Sequence, residues 1–211
     1  LLTAGRLADA YGRKKAFLRG LVIFAIGSAL CGFAQNPEML IGSRIIQAIG
    51  GAILSPASLA LVLPEFPVER RSAAIGIWGA VGGLSAAMGP VIGGWLIDIA
   101  NWRAVFFVNV PVCLITVAIG VKFLKESLDE TAHKHVDIPG ALLAVLSVGL
   151  LALAIVQSDE WGWATPTTIA ILVGSALATA AFVATCRRSA VPVLDLRLLK
   201  LPFVTASRSE E

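Results

Sequence analysis

Arg44 and Gln47 stand inside the apolar run Leu40-Ile-Gly-Ser-Arg44-Ile-Ile-Gln47-Ala-Ile-Gly50-Gly51-Ala52. They are three residues apart and Gly51 is seven from Arg44, so on a helix all three share one face. A guanidinium keeps its charge in any protein environment. It can therefore orient an acceptor through its donor fork and favour proton release from a carboxylate that faces it. Placing that charge in a hydrocarbon layer costs at least a few kcal/mol, which calls for an interior partner or a wet cavity. The other reading is snorkelling, since Arg44 lies only about 10 Å of helix rise below the Asn36-Pro37 turn. A second group carries no charge at all. Gly76, Ser85, Gly89, Pro90, Gly93 and Gly94 lie within one apolar stretch, where small residues let neighbouring helices approach and Pro90 removes a backbone donor and bends the helix. A third is the cluster Gly5-Arg-Leu-Ala-Asp9-Ala-Tyr-Gly12-Arg13-Lys14-Lys15, in which two glycines suit a tight turn, the acid can accept from a helix N-terminus or an arginine, and the basic triplet can make charge-assisted contacts. No nucleophile stands with a His and an Asp, and no phosphate loop or metal-ligand spacing is present. The expectation is a non-enzyme without cofactor or metal.

The elements that must position these residues are membrane spans. The chain is 57% apolar and 15% charged, with a mean hydropathy of +0.83, outside the range of soluble domains. Apolar segments of roughly 18 to 22 residues, each able to cross about 30 Å of hydrocarbon, are expected near 17–35, 39–63, 74–98, 104–123, 139–157 and 167–186. The fold class is thus an all-α polytopic membrane protein with about six complete transmembrane helices. Leu1-Leu2-Thr3-Ala4 reads as the last turn of an earlier helix and Phe203-Val204-Thr205-Ala206 as the start of a further one, so both ends are expected to be cut, or the C-terminus frameshifted. Cys31, Cys113 and Cys186 form no paired motif and read as packing residues.

Charge sets the expected orientation. Arg6, Arg13, Lys14, Lys15 and Arg19 precede the first full span. Arg70 and Arg71 follow the second, Lys122, Lys125 and Lys134 the fourth, and Arg187, Arg188, Arg197 and Lys200 the sixth. All these segments are expected on the cytoplasmic side. The intervening connections hold a single basic residue, Arg103, and Trp95, Trp102, Trp161 and Trp163 mark the outer boundary, where an indole buries its ring and keeps its N–H wet. The net charge of +3 therefore reflects sidedness and gives no argument for nucleic acid. Reporters fused at Lys134 and Arg188 should read cytoplasm, and those at Asn36 and Trp163 the outside. An outside signal at Arg188 would overturn the last two spans. His133-Lys134-His135 reads as solvated loop, and Phe123-Leu124 with Leu128 as a short amphipathic helix.

The Gly5 to Lys15 segment resembles the signature loop between the second and third helices of the major facilitator superfamily, which the family uses as a latch between its two halves. Leu40 to Ala52 is similar to the superfamily's fourth-helix motif with its intramembrane arginine, with Ala48 in place of a usual glycine. Gly76, Gly89-Pro90 and Gly93-Gly94 resemble the fifth-helix motif of antiporters, with Ser85 where a glycine is usual. Asn101-Trp102-Arg103-Ala-Val-Phe106-Phe107-Val-Asn109-Val-Pro111 resembles the lead into the sixth helix of the fourteen-helix drug:proton antiporters, where Asn109 needs a partner and Pro111 would kink the span. Asp137-Ile-Pro-Gly140, opening a hairpin of two helices, and Pro192 to Lys200 resemble the passage to the second bundle of that EmrB/QacA-like branch.

The resemblance implies a fragment of the major facilitator fold. Its expected parts are an N-terminal bundle at 1–125 with family helices 2 to 6 and helix 1 missing, a cytoplasmic loop at 126–137, two additional transmembrane helices at 138–186, and a lead-in at 187–211 to a truncated second bundle. It implies proton-coupled efflux of amphipathic drugs or toxic small molecules across the cytoplasmic membrane. The partners would be substrate, protons, lipid and the second bundle. Arg44 and Gln47 would tune the proton site, the fifth helix would seal and hinge, and Gly5, Asp9, Gly12, Arg13 and Lys14 would latch. The proton-carrying carboxylate is expected on the first helix. The alternatives are a nutrient symporter or uniporter of the same fold, and a non-transporting truncated product or membrane sensor.

Overall fold

The computed structural model describes residues 12–127 and 137–188, and they are helical with no strand. Six helices among them are long and apolar enough to cross a membrane. Helices α1 (Arg13–Gly32), α2 (Pro37–Val62), α3 (Arg71–Ile99), α4 (Ala104–Phe107) and α5 (Asn109–Phe123) belong to a first compact unit, and α6 (Ile138–Trp161) and α7 (Pro166–Arg188) to a second. The expected span positions agree with these helices, α4 and α5 together making the fourth.

In the first unit α1 and α2 form a hairpin across a short turn. Asn36 caps α2, its side-chain oxygen accepting from the Met39 N–H at 2.8 Å, and Pro37 follows at the first helical position, where its missing N–H costs nothing. The pair approaches at its glycines. A Cβ on Gly27 would stand 2.5 Å from the Gln47 backbone nitrogen, and one on Gly50 2.5 Å from that of Phe24. Leu21 and Ala25 of α1 bury against Cys113 of α5, with Phe17, Phe24, Leu54 and Val117 around them.

Helix α3 runs unbroken through Pro90, and Ala74 is its one buried residue. In its N-terminal third Trp78 donates its indole N–H to the Ser58 hydroxyl at 3.2 Å. After α3 the chain turns on Asn101, whose side chain accepts from the Arg103 N–H, and Arg103 reaches back to the Ala34 carbonyl at 3.0 Å while stacking on Trp102. The expected kink at Pro111 is not a break: Val108, between α4 and α5, keeps helical dihedrals (φ −60°, ψ −28°) and donates to the Ala104 carbonyl at 3.0 Å, and only the bond to the Phe107 carbonyl is missing. Pro111 has no N–H to return to the Phe107 carbonyl, so the ladder lapses there. Leu124 to Ser127 are not helical, which corrects the expected amphipathic helix for those four residues; Leu128 lies outside the described residues.

In the second unit the buried residues of α6 are Gly140, Ser147, Ala154 and Ser158, and those of α7 Thr168, Ser175, Ala178 and Cys186. Small residues recurring near every seventh position bring two membrane helices together along one seam. Hydroxyls join that seam. Ser147 and Thr179 meet at 2.6 Å, and Ser175 donates to the Ser147 carbonyl at 2.9 Å. Asp137 caps α6 by accepting from the Gly140 N–H. At the other end Gly162, at φ +83°, turns the chain and offers its carbonyl to Thr165 and Thr168.

Candidate functional site

Of the residues singled out from the sequence, Arg44 and Gln47 meet most directly. The Arg44 Nη1 donates to the Gln47 Oε1 at 2.9 Å, and the Gln47 Nε2 donates to the Ser28 hydroxyl at 2.7 Å. Gln47 is thus engaged at both ends of its amide and is 5% exposed, while Ser28 is fully buried. The Arg44 guanidinium also lies 4.7 Å from the centre of the Phe106 ring. The side chain has a protein partner on its own helix, a second on α4 and a link to α1, although Arg44 as a residue is exposed. Among the described residues no carboxylate pairs with it. Its remaining donors are free to meet an anion, and Gln47 fixes the plane in which they point.

Ser28 and Phe106 were not singled out by sequence reasoning. The available signals were a lone hydroxyl in the apolar run of α1 and an aromatic pair, Phe106-Phe107, at the head of a span. Two edge-on contacts, Phe33 with Phe107 at 5.0 Å and Trp102 with Phe106 at 6.0 Å, complete the aromatic cluster.

The α3 residues separate into two sets. Ser85, Gly89 and Gly93 share a face that lines a groove of about 450 Å³, with Met88 on the same helix and Val105 and Asn109 across from it. Asn109 donates to the Val105 carbonyl at 3.4 Å and Ser85 to the Val81 carbonyl at 2.8 Å, so both polar groups lean on their own helix. Gly76, Pro90 and Gly94 lie off that groove. A Cβ at Gly76, Gly89, Gly93 or Gly94 would meet nothing within 4 Å among the described residues.

Gly5 and Asp9 of the expected latch, and His133 and His135, lie outside the described residues. Gly12, Arg13 and Lys14 open α1, and their partners stand at the far end of α5. Gly12 has φ +108°, a conformation that favours glycine, and a Cβ there would press on the Glu126 carboxylate at 2.8 Å. The Lys14 N–H donates to the Glu126 Oε1 at 3.1 Å and the Arg13 N–H to the Ser127 carbonyl at 3.1 Å, satisfying two open donors of the helix start. In return the Lys14 ammonium donates to the Val121 and Leu124 carbonyls at 2.9 and 2.7 Å. A carboxylate sits at a helix N-terminus and an ammonium at a helix C-terminus, each where the macrodipole favours it. Replacing Lys14 with Met or Glu126 with Gln should each lower stability by about 0.5 to 1 kcal/mol, less at high salt. Thermal unfolding in detergent at two ionic strengths checks this, and an unchanged midpoint at low salt would refute it.

The three cysteines are free and buried, Cys113 against Leu21 and Ala25.

The Major Facilitator Superfamily profile matches residues 1–185. Multidrug resistance protein Stp of Mycobacterium tuberculosis is 37% identical over 201 residues, 95% of this chain and 37% of that protein. The tetracenomycin C resistance and export protein of Streptomyces glaucescens is 35% identical over 200 residues, 95% of this chain and 37% of that protein. The riboflavin transporter RibZ of Clostridioides difficile is 40% identical over 154 residues, 73% of this chain and 34% of that protein. The chain thus spans little more than a third of the length of the curated relatives it matches. With a profile match over most of its length and six helices fit to cross a bilayer, the chain is a multi-pass membrane protein that belongs to the Major Facilitator Superfamily.

Proposed function

We propose that this chain forms part of a proton-coupled exporter of amphipathic drugs or toxic small molecules in the cytoplasmic membrane, of the fourteen-helix branch. The observation that carries the reading is similarity over 95% of the chain to two proteins named for multidrug resistance and for antibiotic export. In this reading Arg44, held by Gln47, supplies a fixed positive charge that helps a facing carboxylate give up its proton. The small-residue face of α3 seals and hinges against a second bundle, and the Gly5 to Lys15 segment latches the closed state. The helices before α6 form the first bundle, α6 and α7 are the two added spans, and alternating access comes from rocking of the bundles about a midplane site. The intact gene, expressed in a host lacking its own exporters, should restore growth on toxic compounds and drive substrate-induced proton movement in everted vesicles. Failure of both would refute the proposal.

The open environment of the α3 glycines fits a face that receives a helix from elsewhere. In the intact protein Gly89→Leu or Gly93→Leu should abolish export while insertion stays normal, because a branched side chain would hold such a helix off. Normal export by both variants would sink the reading of α3 as an antiporter helix.

A second reading, a nutrient symporter or uniporter, is favoured by the 40% identity to the riboflavin transporter. Counterflow and uptake in vesicles under an imposed proton gradient separate the two: an antiporter moves substrate against the proton flow, a symporter moves it with that flow, and a uniporter is indifferent to the gradient.

A further inference from the structure

We propose that Phe106 is a positioning residue for Arg44, holding the guanidinium by its ring face while Gln47 holds it by its edge. The proposal rests on the reading of Arg44 as the charge that serves proton coupling. The ring centre lies 4.7 Å from the guanidinium carbon, and Phe106 is 8% exposed, braced edge-on by Trp102. The Gln47 oxygen fixes the guanidinium in its plane, and Ser28 fixes Gln47. A single hydrogen bond leaves a guanidinium free to swing about the bond. A ring against its face removes that swing, and the attraction between cation and ring quadrupole strengthens where water is scarce.

The local chain makes this position deliberate in mechanical terms. Phe106 lies in the first helical turn of the span, Ala104–Phe107, just before the point at Val108 where Pro111 leaves the Phe107 carbonyl without its ladder donor. Its neighbour Val105 lines the α3 groove beside Gly89 and Gly93. The residue that steadies Arg44 is therefore rooted in the segment that borders the glycine face of α3, and the two features that sequence reasoning kept separate share one short element. A phenylalanine that merely fills space would be replaced equally well by any side chain of similar volume. A positioning ring would not.

The test uses the intact protein in nanodiscs and in everted vesicles, with Phe106→Leu, Phe106→Tyr, Arg44→Lys and Arg44→Ala. Phe106→Leu keeps the bulk and loses the ring, and should lower substrate-induced proton release roughly fivefold at equal membrane content. Phe106→Tyr keeps the ring face and should stay within about twofold of the parent. In arginine-labelled protein the Arg44 guanidinium resonance, assigned by its disappearance in Arg44→Lys, should shift in Phe106→Leu as the ring current is lost, and remain in place in Phe106→Tyr. An unmoved resonance in Phe106→Leu overturns the proposal. So does full coupling in Phe106→Leu when Arg44→Ala has lost it. If Arg44→Ala couples normally while the resonance still shifts, the placement of Arg44 by Phe106 stands and the coupling role of Arg44 falls.

Discussion

Arg44→Ala in the intact protein is expected to remove substrate-induced proton release, while Arg44→Lys retains part of it. In the proposed function the charge is what favours an ionised partner, so alanine would lose the effect entirely. Lysine keeps the charge but not the planar fork that Gln47 and the Phe106 ring grip, so it holds that charge less firmly. The loss in the alanine variant should be at least tenfold, because an unpaired carboxylate left in a low-dielectric site costs more than about 1.4 kcal/mol. Proton release from everted vesicles, normalised to protein in the membrane, is the measurement. A snorkelling arginine makes the opposite forecast: both variants would transport normally with at most reduced expression, and wild-type coupling in Arg44→Ala would decide for it.

Gly27→Val and Gly50→Val are expected to break the α1–α2 hairpin outright. At both positions the atom that an added Cβ would meet at 2.5 Å is backbone nitrogen of the opposite helix, which no rotamer change can relieve. Overpacking of a core ordinarily costs about 1 to 3 kcal/mol, and separating two backbones belongs at or above the top of that range. Gly42→Ala and Gly149→Ala, whose added methyl would meet nothing within 4 Å, serve as controls and should move stability by no more than about 1 kcal/mol. Monodisperse yield and melting temperature in detergent give the readout. Parent-like melting of both valine variants would refute the close approach. Gln47 sits at the Gly27 contact, so loss of this crossing should also release the Arg44 network.

These two forecasts differ in where their warrant comes from. That Arg44 lies in a span and shares a face with Gln47 was legible in the letters, because helical periodicity and the scarcity of charge in apolar segments are properties of one segment at a time. The same holds for the spans and the small-residue character of α3. Helices in a bilayer must satisfy their backbone internally, so length and apolarity alone nearly suffice to delimit them.

Contacts between segments were beyond that logic. Nothing in the spacing of Gly27 or Gly50 separates them from Gly89 and Gly93, yet the first pair meets backbone and the second meets open space within the described chain. The basic residues Arg13 and Lys14 raise the expectation of an inner face by their charge, but their exchange of caps with the end of α5 links positions more than a hundred residues apart. Ser28 and Phe106 read as ordinary span residues until α1 and α4 bring them to Gln47 and Arg44. The sequence by itself determined the membrane class, the helices and the charged residue inside α2, since those follow from local hydrogen bonding and hydrophobicity. Tertiary structure alone decided which side chains hold that charge, because a hydrogen bond or a ring contact depends on how separate helices cross.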